Sequence, residues 1–481
     1  MGSTITHRNK ILQGNVLDVL STFPDACIHM CVTSPPYYGL RSYGTEHQIW
    51  QDDCTCEHDW VEVHPPGYRS SDTNPGELQH EGNMNRDKFV SYRCKECGAW
   101  KGELGSEETP DEYVAHLVEI FREVRRVLRD DGTFWLNIGD SYNGSGGAGG
   151  DYANGGLKEG QPKYPGRRID GLKPKDLMEI PSMVASALRS DGWYLRSRIP
   201  WFKRNSLPES VKDRPASALE YVFLLTKSQK YYYDHLAVRE GSKGTSLARQ
   251  RRAVSDKHKN IFGAPGQTPH SCAQPRENDP NREIAEGRNR RNTDWFFESW
   301  QGLYEEDSEP LAFIVNPAGV KDAHFAVMPE KLVEPCILAG TSEHGCCAEC
   351  GAPIGRIIEE VAAVSTECPK TQAAHEARGG TGEPVGTVGK SGSGRINGYA
   401  KTMGWKPTCA CECCTDTHRA IVLDPFMGSG TVAVVALKNN RDFIGIDLNP
   451  EYIRISEKRI APHRHKKLSD YMGSTENDLE I

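Results

Sequence analysis

Asp424-Pro425-Phe426-Met427-Gly428-Ser429-Gly430-Thr431 follows the apolar run Ile421-Val422-Leu423 and precedes the helix-prone run Val432 to Leu437. Strand, glycine-rich turn, helix is the layout that lets a backbone approach a ligand closely. Far upstream, Thr33-Ser34-Pro35-Pro36-Tyr37-Tyr38-Gly39 follows a second apolar run, Cys27 to Val32. Its two prolines end that strand abruptly. Two strands that each end in a rigid turn are expected to be neighbours at the carboxyl edge of a parallel sheet, where open α/β sheets bind ligands.

Working outward, Ile11 to Tyr37 reads as strand, helix, strand, with Gly14 to Leu20 opening the helix. Thr109-Pro110-Asp111-Glu112 is a helix start: Thr as N-cap, Pro at the first helical position, Glu closing a capping box. Val114, Leu117, Phe121, Val124 and Leu128 then share one face at helical spacing. Asp130-Asp131-Gly132 is expected to stop that helix, and Thr133 to Ile138 to form the next strand. Residues Asn143 to Gly171 read as a loop, Lys175 to Ser190 as a helix. Trp193 to Trp201 and Leu219 to Thr226 read as a strand hairpin at the edge of a mixed sheet. His324 to Leu332 begins a helix leading toward Ala339, and Phe443 to Ile446 is a strand ending in Asp447.

At 481 residues the chain is longer than one typical domain. Its net charge of −8 carries no global signal for nucleic acid, so any such footprint is local. Between Gly241 and Asn292 there are eleven Lys and Arg against five Asp and Glu, with little apolar content. That stretch is either a solvated loop or a recognition surface. With no 18-residue apolar run and no signal peptide, the expectation is a soluble, cytoplasmic protein that does not contact membrane.

Sixteen cysteines is a high count for that compartment, and they cluster in short-spaced pairs, which points to metal rather than disulfides. Cys54-Thr55-Cys56-Glu57-His58 is followed by Cys94-Lys95-Glu96-Cys97-Gly98. Cys56, His58, Cys94 and Cys97 are the expected zinc ligands, with Cys54 as substitute. Cys347-Ala348-Glu349-Cys350-Gly351 pairs with Cys409-Ala410-Cys411, which makes Cys347, Cys350, Cys409 and Cys411 a second set and leaves Cys346, Cys413 and Cys414 spare. Four ligands close a tetrahedral shell, so both zinc sites are expected to be structural.

The two turns together resemble the beta group of amino DNA methyltransferases, which methylate N4 of cytosine or N6 of adenine from S-adenosylmethionine. In that family a [Ser/Asn/Asp]-Pro-Pro-[Tyr/Phe] motif holds the target amino group and a Phe-x-Gly-x-Gly motif holds the cofactor. Here the catalytic motif comes first. The resemblance implies a Rossmann-like mixed α/β sheet with circularly permuted motif order and a DNA-recognition insert, to which the cysteine spacing adds two zinc-knuckle inserts. It assigns catalysis to Ser34, Pro35, Pro36 and Tyr37, and cofactor binding to Asp18, Asp424, Phe426, Gly428, Gly430, Thr431 and Asp447. Asp447 lies 17 residues beyond Gly430, near the spacing of an acid that clamps ribose hydroxyls. Asp18 is alternatively a helix cap. The segment from His324 would cover the cofactor's methionine end.

The implied chemistry is direct transfer to a base flipped out of duplex DNA. An exocyclic nitrogen is a poor nucleophile because its lone pair is delocalised, and acceptors aimed at the amino hydrogens would localise it. Ser34 Oγ and the Pro35 carbonyl are those acceptors, and Tyr37 offers a stacking face. Ser at the first motif position favours cytosine, with adenine as the alternative and a non-catalytic nucleic-acid-binding module as a further one. A nicotinamide enzyme would want a third glycine where Ala433 stands. A cytosine C5 enzyme would want a cysteine nucleophile, and Pro335-Cys336 sits in an expected helix, where Cys336 packs in the core.

The resulting organisation is a catalytic core of 1–50, 105–235, 321–340 and 415–462, zinc-binding inserts at 51–104 and 341–414, a target-recognition region at 236–320 and a tail at 463–481. Arg249–Arg252 and Arg288–Arg291 would line the DNA groove. The sequence leaves open a homodimer and a cognate restriction enzyme as partners.

Overall fold

The computed structural model describes residues 7–39, 45–50, 56–63, 90–143, 171–203, 213–239, 328–361, 399–411 and 416–464. Along the chain these form β1 (Lys10–Gln13), α1 (Val16–Ser21), β2 (Ile28–Thr33), β3 (Gln48–Trp50), β4 (Trp60–Val63), β5 (Ser91–Cys94), β6 (Trp100–Gly102), α2 (Pro110–Val127) and β7 (Leu128–Ile138). There follow α3 (Ile180–Ser190), β8 (Tyr194–Phe202), β9 (Leu219–Thr226), α4 (Glu330–Gly340), β10 (Cys346–Cys347), β11 (Ile354–Val361), β12 (Tyr399–Pro407) and β13 (Thr417–His418). The last elements are β14 (Ile421–Asp424), α5 (Thr431–Lys438), β15 (Asp442–Asp447) and α6 (Pro450–Ile460). Two compact units result: Met1–Val238, Arg291–Ile354 and Pro407–Ile481 bound the larger, Arg239–Arg290 and Gly355–Lys406 the smaller.

The larger unit is built on a seven-stranded sheet of order β1-β15-β14-β2-β7-β9-β8. β1, β15, β14, β2 and β7 run parallel, and β9 is antiparallel to both β7 and β8. The central strands are nearly continuous apolar runs because both faces are covered. On one face Phe134, Leu136, Leu423 and Ile444 pack with Leu20 of α1, Leu117 and Phe121 of α2 and Leu188 of α3. On the other, Met30, Trp135, Val422 and Phe443 pack with Ile337 of α4 and Val432 and Val435 of α5. Cys336 is in this second layer, buried as expected.

Successive crossovers run outward in opposite directions from the β14–β2 pair, so their carboxyl ends border the topological switch point, where ligands bind in such sheets. The Asp424 and Thr33 ends of the two motif strands meet there.

α2 starts as expected, with the Thr109 side chain accepting from the Glu112 amide at 3.2 Å. It ends sooner. Leu128 already pairs with Ile28, so the chain passes from helix to strand before Asp130, and β7 carries a bulge opposite Ile28–Met30. α3 starts at Ile180 rather than Lys175, because Lys175 and Glu179 both adopt positive φ before Pro181 opens the helix. The hairpin of β8 and β9 forms as read.

Before α2, a four-stranded antiparallel sheet of order β3-β6-β5-β4 holds the first cysteine cluster. β10 pairs antiparallel with β13 beside the second. In the smaller unit β11 and β12 form a two-stranded sheet in which Arg356 lies over the Trp405 ring, 4.2 Å from its centroid. Residues 240–320 of the expected recognition region, with Arg249–Arg252 and Arg288–Arg291, lie outside the described residues, as do Cys54, Cys413, Cys414, His324 and the tail beyond residue 464. Among the described residues no helix is long and apolar enough to cross a membrane.

Candidate active site

The glycine turn and the Ser-Pro-Pro-Tyr turn open into one cavity of about 310 Å³, within the size range of small-molecule sites. Ser34, Pro35, Pro36 and Tyr37 line it from β2; Asp424, Phe426, Gly428 and Thr431 line it from β14 and α5; Asp447 lines it from β15.

The two motifs are joined directly. Thr33 Oγ1 donates to Asp424 Oδ1 at 2.6 Å, and the Phe426 amide donates to the same oxygen at 3.1 Å. Burial pushes the Asp424 carboxyl up to about 7; Asp447 repels its charge further, while the Thr33 hydroxyl and Phe426 amide pull the other way. Asp447 accepts from the Gly428 amide at 2.7 Å and the Asn449 amide at 2.8 Å, and burial raises it as well. Each oxygen keeps acceptor capacity for a ligand hydroxyl.

Gly430 shapes the turn without lining the cavity. Its φ is +81°, and a Cβ there would lie 2.7 Å from Ser456 Cβ on α6. Arg459 of α6 braces the same turn, donating to the Ser429 carbonyl at 2.6 Å, Ser429 Oγ at 2.8 Å and Thr431 Oγ1 at 3.3 Å.

Asp18 departs from its expected place. Val16 and Leu20 are the buried positions of α1, so helical phase turns Asp18 outward, where it is exposed. Asn15 lines the cavity instead. Its Oδ1 caps the helix by accepting from the Leu17 amide at 2.8 Å, and its Nδ2 donates to Gln48 Oε1 at 2.5 Å.

The Ser-Pro-Pro-Tyr turn is held from α2 and its approach. Tyr113 donates to the Pro36 carbonyl at 2.7 Å, and the Gly39 amide to the Gly105 carbonyl at 2.9 Å. Gly139, at the end of β7, allows the Tyr37 ring to lie against the chain, since a Cβ there would be 2.6 Å from Tyr37 Cε2.

Among the further lining residues that escaped the sequence reading are Asn137, Trp201, Lys203 and Glu220. Tyr37 OH donates to Glu220 Oε2 at 2.8 Å. Asn137 Nδ2 donates to Tyr37 OH at 2.9 Å, with Ser34 Oγ and Glu220 Oε2 each 3.4 Å away. Lys203 pairs with Glu220 Oε1, its ammonium 4.6 Å from the centroid of the buried Trp201 ring. The one signal in the sequence is polarity: Asn137 interrupts the apolar run Phe134 to Ile138, and Glu220 breaks an otherwise apolar strand.

The cysteine clusters assemble as read. In each of the sets Cys56, His58, Cys94, Cys97 and Cys347, Cys350, Cys409, Cys411 the ligand atoms lie within 4.8 Å of one another. Cys56 Sγ is 3.4 Å from His58 Nδ1 and 3.9 Å from Cys94 Sγ; Cys97 Sγ is 3.5 Å from His58 Nδ1. A tetrahedral ion bonded at about 2.3 Å sets ligand separations of about 3.7 Å, so the donors fit. The two knuckles repeat one backbone pattern: Gly98 to the Cys94 carbonyl at 3.0 Å, and Gly351 to the Cys347 carbonyl at 2.9 Å. The Cys94 thiol is pulled down to about 6, chiefly by the Cys97 amide, and Cys347 to about 7, chiefly by the Cys350 amide. Cys346, pushed up to about 12 by burial, is a packed thiol beside the second set.

Fold and site define an α/β protein whose cavity lies at a topological switch point, between a glycine turn and a Ser-Pro-Pro-Tyr turn. A family model described as DNA methylase, covering the N6 and N4 enzymes, matches residues 28–350 and 412–458. The type II methyltransferase M.XycI of Xanthomonas campestris pv. cyanopsidis is 29% identical over 463 residues, 95% of this chain and 89% of its own length. M.Cfr9I of Citrobacter freundii is 29% identical over 457 residues, 94% of this chain and 87% of that protein. A solved structure of the PvuII DNA methyltransferase (cytosine-N4-specific) aligns with a TM-score of 0.38 and 14% identity, covering 96% of this chain and 92% of that one. The chain belongs to the N6/N4 DNA methylase family.

Proposed function

We propose that the protein methylates the exocyclic N4 of cytosine in duplex DNA, with S-adenosylmethionine as donor. N6 of adenine is the second reading, since Ser34 alone favours cytosine. The observation that carries the proposal is the buried Thr33–Asp424 bond at the wall of the cavity, which ties two turns 391 residues apart into a single site.

The cofactor's sulfonium methyl is the electrophile when bound. Asp424, Phe426, Gly428 and Thr431 are placed to hold its methionine end, and Asp447 its ribose. Ser34 Oγ and the Pro35 carbonyl accept the amino hydrogens and localise the nitrogen lone pair toward the methyl. The two prolines fix these acceptors before binding, so little order is lost in the reactive complex. Tyr37 supplies a ring face for the flipped base.

Zinc fits both cysteine clusters, as the ligand separations indicate, and would be held structurally by all four ligands of each. The boundaries drawn from sequence stand as part of the proposal: a split catalytic core, inserts at 51–104 and 341–414, and target recognition by 236–320. The permuted order of the motifs belongs to the same reading. Relatives termed type II methyltransferases support site-specific modification alongside a cognate restriction enzyme.

The substrate class is tested by offering duplex DNA, RNA and protein together to the enzyme with labelled S-adenosylmethionine. Label in duplex DNA alone is expected; label in RNA or protein would overturn the reading.

A further inference from the structure

We infer that Glu220 orients the hydrogen-bond chain through Tyr37 to Ser34 and takes up the proton released in methyl transfer. The inference rests on the proposed amino-group chemistry and extends it to a residue outside both motifs.

The direction of the chain follows from its last member. An ionised carboxylate only accepts hydrogen bonds. The Glu220 carboxylate is ion-paired with Lys203 through Oε1, which leaves Oε2 facing Tyr37. Tyr37 OH therefore donates to Glu220 at 2.8 Å, and its oxygen accepts from Ser34 Oγ at 3.3 Å. With the Ser34 hydrogen turned inward, its lone pairs are left to accept from a substrate amino group. Asn137 reinforces this polarity, because its amide N–H group faces the same three oxygens. Asn137 Oδ1 is buried with no hydrogen-bond partner among the described residues, in a residue 3% exposed that lines the cavity. An orphaned buried acceptor of this kind is costly unless a ligand donor satisfies it.

The proton balance is complete along this path. The amino nitrogen forms the new bond to carbon, while the S–C pair returns to the donor sulfur. The nitrogen then carries a positive charge and loses one proton to Ser34 Oγ. The Ser34 hydrogen passes to the Tyr37 oxygen, and the Tyr37 hydrogen to Glu220 Oε2, which ends as a neutral carboxylic acid. Glu220 acts through Tyr37 and Ser34, so it is a positioning residue and proton acceptor without touching the base.

The test is a double-mutant cycle of E220Q and Y37F. Single-turnover methyl transfer is measured on unmethylated genomic DNA, with S-adenosylmethionine affinity by calorimetry and DNA affinity by anisotropy in parallel. E220Q preserves shape and removes the negative charge; Y37F keeps the ring and cuts the chain. Each is expected to slow transfer about 100-fold while both affinities stay within about twofold of wild type. The double variant should lose no more than either single one. Wild-type rates in E220Q, additive losses in the double variant, or losses matched by weaker binding would overturn the inference while leaving the proposed function standing. Should E220Q fail to fold, Y37F decides alone, a wild-type rate counting against the relay. Absence of transfer to DNA by the wild-type chain would overturn both.

Discussion

Asp424 is the residue on which the site's electrostatics turn. It is buried, shares an oxygen with Thr33 and the Phe426 amide, and has a carboxyl pushed up to about 7. Between its ordinary value of 3.8 and about 7 the folded chain holds a proton that the unfolded chain has released. Raising the pH through that window therefore destabilises the ligand-free protein, by on the order of 4 kcal/mol if this group acted alone. D424N should flatten the melting-temperature profile between about pH 4 and pH 7. A cationic ligand group beside Asp424 favours the ionised form, so calorimetry should find S-adenosylmethionine bound more tightly at pH 8 than at pH 6, and the gain abolished in D424N. Equal affinities at both values in the wild type would contradict this assignment.

At the scale of elements, each cysteine cluster sits where short segments meet a sheet. The first cluster closes the small sheet whose strands bring Gln48, Trp50, Glu103 and Leu104 to the cavity. The second is tied to the amino edge of the main sheet, where His29 Nε2 donates to the Gly351 carbonyl at 3.1 Å and Arg129 to the Cys350 carbonyl at 2.6 Å. Purified protein should carry two zinc ions per chain, one for each cluster. C94S should carry one, with a lower melting temperature and weaker ligand binding, because losing a structural ion unfolds the small sheet. Elemental analysis finding no zinc would sink the assignment. These clusters were legible in the sequence because each knuckle is local, a Cys-x-x-Cys-Gly in which glycine takes the positive φ that ends the turn. The start of α3 was less legible, since positive φ at Lys175 and Glu179 is imposed by packing that no helical periodicity records.

At the scale of the whole molecule, the site is a product of strand order. The glycine turn comes last in the chain and the Ser-Pro-Pro-Tyr turn near its beginning, yet β14 and β2 lie side by side at the centre of the sheet. That neighbourhood could be read ahead of the structure because each turn announces itself with prolines or glycines after an apolar run. Asn137, Trp201, Lys203 and Glu220 could not, because each is a single residue on β7, β9 or the β8 end, and only the β7-β9-β8 order brings them to Tyr37. Asp18 and Asn15 show the same limit on a smaller scale: the phase of α1 decides which side chain faces the cavity, and burial of Val16 and Leu20 sets that phase.

The central claim, that these strands bring a methyl donor and a flipped cytosine together, is tested most directly by nucleoside mass spectrometry. Unmethylated genomic DNA is incubated with the enzyme and S-adenosylmethionine, then digested to nucleosides. The account predicts N4-methylcytosine. N6-methyladenine would reverse the choice of base while keeping the Ser34 chemistry, and no methylated nucleoside, with cofactor binding demonstrated, would contradict the account.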